Sequence, residues 1–459
     1  IDHGLALTRV PPDLLATLVE RFQMLNPKWV ENERMGRWNR GTPKVLRFYR
    51  RLGRTGIAIP RGAARGLLLL LKRRHIAYQI DDRRRSLPEV DYRFVGSLRP
   101  FQAAAVADMT QKDFGTLSAP TGSGKTVMGL FMIARRRQPA VVVVHTKELA
   151  FQWIRSIERF LGIPADRVGL IGAGKKKMGD QITVALVQTL CRWSHTVVPH
   201  TGHIVVDECH RTPSRTFTEA VKAFDCRYML GLSATPWRRD RLSQLIFWHL
   251  GDMHHQVDRS RLEATGHILK AEVIFRLTEF TPYFDPVKDY VRMLSELTAD
   301  DARNRLIASD VARQVRDGKG ICLVLSDRKK HCQTLQGLLR YKFGVSAELL
   351  TGDLGDDARR AVLERLDQNE IRVLVATGQL IGEGFDCPGL DTLFLATPIR
   401  FSGRVLQYLG RILRPAPGKD RPTVYDYVDH RVAPLVAAAR ARQRVYGDGA
   451  GEIFANGQG

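Results

Sequence analysis

The run Ala119-Pro-Thr-Gly-Ser-Gly-Lys-Thr126 has the residue types and spacing of a phosphate cradle. Gly122 and Gly124 let backbone N–H groups curl around phosphate oxygens with no Cβ in the way. Lys125 then reaches the β- and γ-phosphates of a nucleotide, and the Thr126 hydroxyl can hold magnesium. Thr121 and Ser123 complete the loop. A carboxylate pair, Asp207 and Glu208, follows 82 residues after Lys125. Asp207, at the end of an apolar run, is placed to bind the same magnesium through water. Its neighbour Glu208 can polarise an attacking water as general base. His210 is a candidate link between this site and its surroundings. The chemistry implied is hydrolysis of a nucleoside triphosphate. The superficially similar Gly172-Ala-Gly-Lys175 lacks the cradle's spacing and reads as a basic surface loop.

These residues need rigid elements behind them. From Leu98 onward, short β-branched runs alternate with helical stretches. Val141–Val144, Thr183–Val187, Ile204–Val206, Tyr228–Leu232, Ile321–Leu325, Arg372–Val375 and Thr392–Leu395 read as buried parallel strands. A strand ending near Ser118 and a helix starting at Lys125 would bracket the cradle, adding a helix N-terminus to the phosphate site. The alternation occurs twice, which predicts two tandem α/β parallel-sheet domains. Residues 1–95 predict a small basic α+β domain: a helix opened by Pro11, Pro12 and Asp13, a Leu-rich helix over Ala63–Arg74, and a short strand over Ile76–Ile80. The expected domains are 1–95 (accessory, nucleic-acid-binding), 96–271 (nucleotide-binding), 272–432 (second α/β domain) and 433–459 (a helix and flexible tail).

Charge points to the partner. A net +23 over 459 residues implies a polyanion. Residues 1–95 carry 20 Lys and Arg against 9 Asp and Glu, so the excess is concentrated there. Arg34, Arg37, Arg40, Arg47, Arg50, Arg51 and Arg54 lie among Trp29, Trp38, Phe48 and Tyr49, a mixture suited either to phosphate contact with base stacking or to a basic domain filling its own core. No apolar run is long enough for a bilayer; Leu67–Leu71 is the longest and is followed by Lys72, Arg73 and Arg74. The six cysteines show no CxxC pair and no zinc spacing, which predicts a reduced, cytoplasmic protein. No signal peptide is visible, and a first residue of Ile1 rather than Met leaves room for an upstream piece.

Over residues 97–430 the order of short motifs resembles superfamily 2 helicases of the DExH type, with two RecA-like domains. Arg99 and Gln102 in Leu98-Arg-Pro-Phe-Gln102 resemble the element that reads adenine. His145-Thr-Lys-Glu-Leu149, with Gln152 and Trp153, resembles motif Ia, and Gln188-Thr189 the next strand-end element. Ser233-Ala-Thr-Pro236 is similar to motif III, whose hydroxyls couple hydrolysis to lobe movement. Leu323–Asp327 resembles motif IV, and Thr351-Gly352-Asp353 a following contact. Ala376-Thr377 with Gly382-Glu-Gly-Phe-Asp386 resembles motif V, placing Gly384 and Asp386 near nucleotide. Gln407-Tyr-Leu-Gly-Arg411-Ile-Leu-Arg414 resembles motif VI.

The resemblance implies that Arg411 and Arg414 act as arginine fingers on the γ-phosphate. It also implies that His210, Ser233, Thr235 and Gln407 couple the lobes, and that Thr146, Gln188, Arg238, Thr351 and Thr377 touch nucleic acid. The implied cofactors are ATP and Mg2+. The implied partner is DNA, whether single-stranded, duplex or forked, with RNA left open, and a larger repair or defence complex is a further possible partner. The text is most similar to the XPB, UvsW and type III restriction-motor groups. Two positions depart from them: Arg239 stands where Arg-Glu-Asp is the expected triplet, and Leu413 where many relatives have His.

Overall fold

The computed structural model describes the chain except for residues 212–214, 235–241, 319, 382–384, 386, 388, 400–401, 447–452 and 454–459, and except for the side chains of residues 211, 215–217, 356, 367, 379, 402–404 and 406–407. Two compact units are present. One comprises Ile1–Pro120 and Gly124–Asp258; the other comprises Arg259–Gly459 with Thr121–Ser123.

The first unit is built on an eight-stranded sheet. Its centre is parallel and runs, in spatial order, Phe114–Ser118, Tyr228–Ser233, His203–Val206, Ala140–Val144 and Ile182–Leu186. Ala140–Val144 and Ile182–Leu186 are buried throughout, as a sheet covered on both faces requires. Register aligns Ser118 with Ser233, Val206 with Gly231 and with Val143, and Leu186 with Val144. All five strands therefore end along one edge, where open α/β sheets present their ligand sites. The Gly172–Lys175 segment closes an antiparallel hairpin between Gly169–Gly172 and Lys175–Lys177. Its two central residues, Ala173 and Gly174, have φ of 52° and 82°, as a tight hairpin turn demands.

Residues 1–95 share a core with this unit. The helix Pro12–Arg21 buries Leu14, Leu15 and Leu18, and Ala64–Arg73 buries Leu67 and Leu71. These side chains cluster with Leu245 and Trp248 of the helix Ser243–Leu250. Phe22 and Phe48 pack on Trp248 with ring centroids 5.0 and 5.3 Å away. The Arg61 guanidinium is buried and donates to the carbonyls of Asp2 and Cys226 at 3.0 and 2.8 Å. Ile76–Ile80 forms no strand. Tyr78 and Ile80 are exposed there, so the run has no sheet neighbour to satisfy its backbone. The chain instead continues as a strap, held by Arg85 on Asp225 at 2.8 Å and by Tyr92 Oη on the Gln181 carbonyl at 2.6 Å.

The second unit holds a six-stranded parallel sheet in the order Glu272–Thr278, Thr423–Asp429, Leu390–Leu395, Ile321–Ser326, Val373–Thr377, Glu348–Leu350. Polar groups pin its core. Asp429 accepts from Arg303 Nε at 2.8 Å and from the Thr278 hydroxyl at 2.6 Å, while Arg303 also donates to the Ala396 carbonyl. Asp426 accepts from Arg442 Nε and Nη2, at 2.8 and 2.6 Å, and from the Tyr446 hydroxyl at 2.7 Å. Fully buried charges persist only when paired and hydrogen-bonded in this way. The second network fastens the closing helix, Ala433–Tyr446, to the sheet. The tail from Gly447 lies outside the described residues apart from Ile453. Among the described residues, no helix is long and apolar enough to cross a membrane.

Candidate active site

The cradle follows Phe114–Ser118 directly and opens the helix Lys125–Arg136. Gly124, the helix N-cap, has φ +84°, and a Cβ there would meet Gln102 Nε2 at 2.5 Å. Glycine is needed on both counts. Gln102 is buried, and its Oε1 accepts from the Arg99 backbone N–H at 2.9 Å, which fixes it at the start of the helix Pro100–Thr110. Arg99 and Gln102, expected near adenine, are thus tied to each other, with Gln102 against the cradle.

The Lys125 ammonium donates to the Ala119 carbonyl at 3.2 Å and lies 3.9 Å from Glu208 Oε1. Thr126, next along, is half-buried. Asp207 and Glu208 stand just past His203–Val206. Glu208 has φ +48°, a left-handed conformation that is costly for a side chain with a Cβ. Its backbone N–H donates to Asp207 Oδ1 at 2.9 Å, which helps hold the turn. His210 Nδ1 lies 3.2 Å from Glu208 Oε2 and 3.2 Å from the Ser233 hydroxyl. A polar chain therefore runs from the candidate base through His210 to the end of the neighbouring strand.

Asp207 is buried, and burial pushes its carboxyl above the usual carboxylate range, with repulsion from Glu208 adding to the shift. The Asp207 carboxyl and the Thr126 hydroxyl are hard-oxygen donors of the kind that suits a divalent cation such as magnesium. Asp207 Oδ2 also accepts from the Trp153 indole at 2.8 Å. Trp153 is buried in the helix Lys147–Leu161 and packs against Gly129 of the cradle helix. Sequence reading placed Trp153 beside motif Ia but gave it no role, because spacing along one helix does not show which strand end its indole meets. Trp153→Phe keeps the ring and removes the donor. It is expected to lower ATPase activity or magnesium affinity by about 10- to 100-fold, the usual cost of losing a partner behind a metal-binding carboxylate. A magnesium titration of initial rates checks this; an unchanged half-saturating concentration and rate would refute it.

The remaining described residues sit at the two strand-end edges. Thr146 and Gln188 follow adjacent strands of the first sheet, Gln188 exposed and Thr146 capping its helix by accepting from the Leu149 N–H at 3.3 Å. Thr351 and Thr377 occupy the matching edge of the second sheet, next to and within paired strands. Arg411 is buried in the helix Ser402–Ile412, and Arg414 follows its end half-buried. Thr235, Arg238, Gly384 and Asp386 lie outside the described residues, as does the side chain of Gln407.

A phosphate cradle and a strand-end carboxylate pair on one RecA-like sheet, followed by a second such sheet, define a two-lobed P-loop ATPase. The family described as "Type III restriction enzyme, res subunit" matches residues 96–238, and "Helicase conserved C-terminal domain" matches residues 303–416. Together these matches indicate an ATP-hydrolysing helicase, similar to the superfamily 2 enzymes of the XPB and type III restriction kind.

Among relatives, it is 26% identical over 362 residues to "Putative ATP-dependent RNA helicase L396" of Acanthamoeba polyphaga mimivirus, covering 74% of this chain and 66% of that one. It is 25% identical over 351 residues to "DNA 3'-5' translocase XPB2" of Sulfurisphaera tokodaii, covering 69% and 78%. In fold it is similar to Saccharomyces cerevisiae Dbp5 bound to RNA and ADP BeF3, with TM-score 0.57 at 15% identity, over 76% of this chain and 88% of that one.

Proposed function

We propose that this protein is an ATP-driven motor that moves along DNA. In this reading Lys125 and the cradle amides bind the β- and γ-phosphates, and Thr126 and Asp207 would hold Mg2+. An ion held there would supply charge neutralisation to the phosphate oxygens. Glu208 orients the attacking water and accepts its proton, with His210 and Ser233 relaying the change to the next strand. Arg411 and Arg414 neutralise charge on the transferred phosphoryl oxygens. The observation that carries the reading is the Lys125, Asp207, Glu208, His210 and Ser233 constellation on one sheet edge.

Thr146, Gln188, Thr351 and Thr377 are the proposed backbone contacts. Such contacts fix position on a strand without reading sequence, so binding should be strongly salt-dependent. DNA is favoured over RNA by the relatives whose names specify DNA translocation, while the net +23 suits either polyanion. The match to a restriction-enzyme subunit supports a second reading, a translocase that moves along duplex without separating it, inside a restriction, repair or defence assembly. ATPase rates with single-stranded, duplex, forked and RNA–DNA hybrid substrates test the first claim. Stimulation by DNA is expected; a rate indifferent to every nucleic acid would contradict it. Strand displacement on the fork then separates the two readings.

A further inference from the structure

The second unit carries a basic groove that none of the motifs accounts for. It has a volume of about 660 Å³ and is lined by His430, Arg431, Arg440 and Arg444 around a small apolar floor that includes Val436 and Ala437. Positions 433, 436, 437, 440 and 444 fall on one face of the helix Ala433–Tyr446. The opposite face is fixed by buried Leu435, Ala438, Ala439 and Arg442. Arg442 points its charge inward to Asp426, so the helix sorts its arginines by face. Arg440 and Arg444 are exposed and have no carboxylate partner among the described residues, whereas Arg431 is paired with Glu279. The His430 Nδ1 is shut off from solvent without a hydrogen-bond partner among the described residues. Two uncompensated guanidiniums lining one groove suit an anion with several oxygens.

The location specifies the anion. His430 and Arg431 continue from the end of Thr423–Asp429, and this strand is parallel to Leu390–Leu395, Ile321–Ser326 and Val373–Thr377. The groove therefore starts, at His430 and Arg431, on the edge that carries Thr377, three strand spacings away, roughly 14 Å at about 4.8 Å per strand, and continues along the outer face of the helix to Arg440 and Arg444. We infer that this groove binds the phosphodiester backbone of a DNA strand, extending the track from the Thr351 and Thr377 edge across the sheet; the inference rests on the motor reading above. The floor is small and open, which accommodates sugars and leaves bases unread.

The test is binding of a fluorescent single-stranded oligonucleotide by the full chain across a salt series. For the unaltered protein the affinity should fall steeply with salt. Arg440→Ala with Arg444→Ala is expected to make the log–log slope shallower by about 1.4, two phosphate contacts at about 0.7 each, while ATPase without nucleic acid is unchanged. Arg440→Lys with Arg444→Lys, which keeps both charges, should recover most of the slope. If the unaltered protein binds and the double alanine variant keeps its slope, the groove assignment is overturned and the motor reading stands. If the unaltered protein binds no nucleic acid, both fall.

Discussion

Lys125→Ala is expected to reduce ATP turnover by at least about a hundredfold, and to weaken ATP binding as well. The ammonium is the one described cation in contact with the carboxylate pair at the cradle, 3.9 Å from Glu208 and tethered to the Ala119 carbonyl. Without it the γ-phosphate loses one of its positive partners beside Asp207 and Glu208, and removing a single preorganised charge partner of a transition state typically costs two to three orders of magnitude. Lys125 sits at the start of a helix whose stability comes from buried Met128, Leu130, Met132 and Ile133, so the fold should survive. Steady-state phosphate release, with circular dichroism as the folding control, checks the result. Normal turnover by a folded Lys125→Ala protein would remove the site assignment.

Arg411→Ala should cost as much or more, about a thousandfold, the lower end of what arginine fingers contribute in phosphoryl transfer. Arg411→Lys should fail nearly as badly, because an ammonium cannot present two parallel donors to two phosphoryl oxygens. The two sites differ in what they lose. A group that engages charge only as it develops lowers kcat more than it weakens ground-state ATP binding. Equilibrium binding of a fluorescent ATP analogue to Arg411→Lys should therefore stay close to the unaltered value while hydrolysis collapses. Arg411 is also buried, so thermal melting must accompany the kinetics. Full activity in a folded Arg411→Lys protein would leave the arginine without a chemical role.

Much of this site is legible in the sequence because its parts are local. The cradle is eight consecutive residues whose glycines, cation and hydroxyl each have one use, and the structure finds Gly124 in the left-handed conformation that use requires. Asp207-Glu208 is readable because a continuous apolar run announces a buried parallel strand, and its end is where such sheets bind ligands. The central strands read for the same reason: Val141–Val144 is observed as Ala140–Val144, and Tyr228–Leu232 as Tyr228–Ser233.

What escapes is what depends on distant pairing. The Trp153 indole reaches Asp207 across 54 positions, and Arg442 and Tyr446 reach back to Asp426 across 16 and 20. Ile76–Ile80 has strand composition but no neighbour to pair with, and stays irregular. The N-terminal aromatics divide three ways. Phe48 fills core against Trp248, Trp29 lies under Lys44 with the ammonium 4.9 Å from the ring, and Trp38 stands 84% exposed. Trp38 keeps a free face for a base, a distinction that composition does not carry.

In the proposed mechanism one γ-phosphate is gripped by residues of both lobes. The direct measurement is an experimental structure of the protein with magnesium, ADP–beryllium fluoride and a single-stranded oligonucleotide. The beryllium fluoride group is expected in contact with Lys125 Nζ on one side and with the guanidiniums of Arg411 and Arg414 on the other. A nucleotide bound by the Lys125 cradle, with DNA in place and both arginines remote from its terminal group, would contradict it.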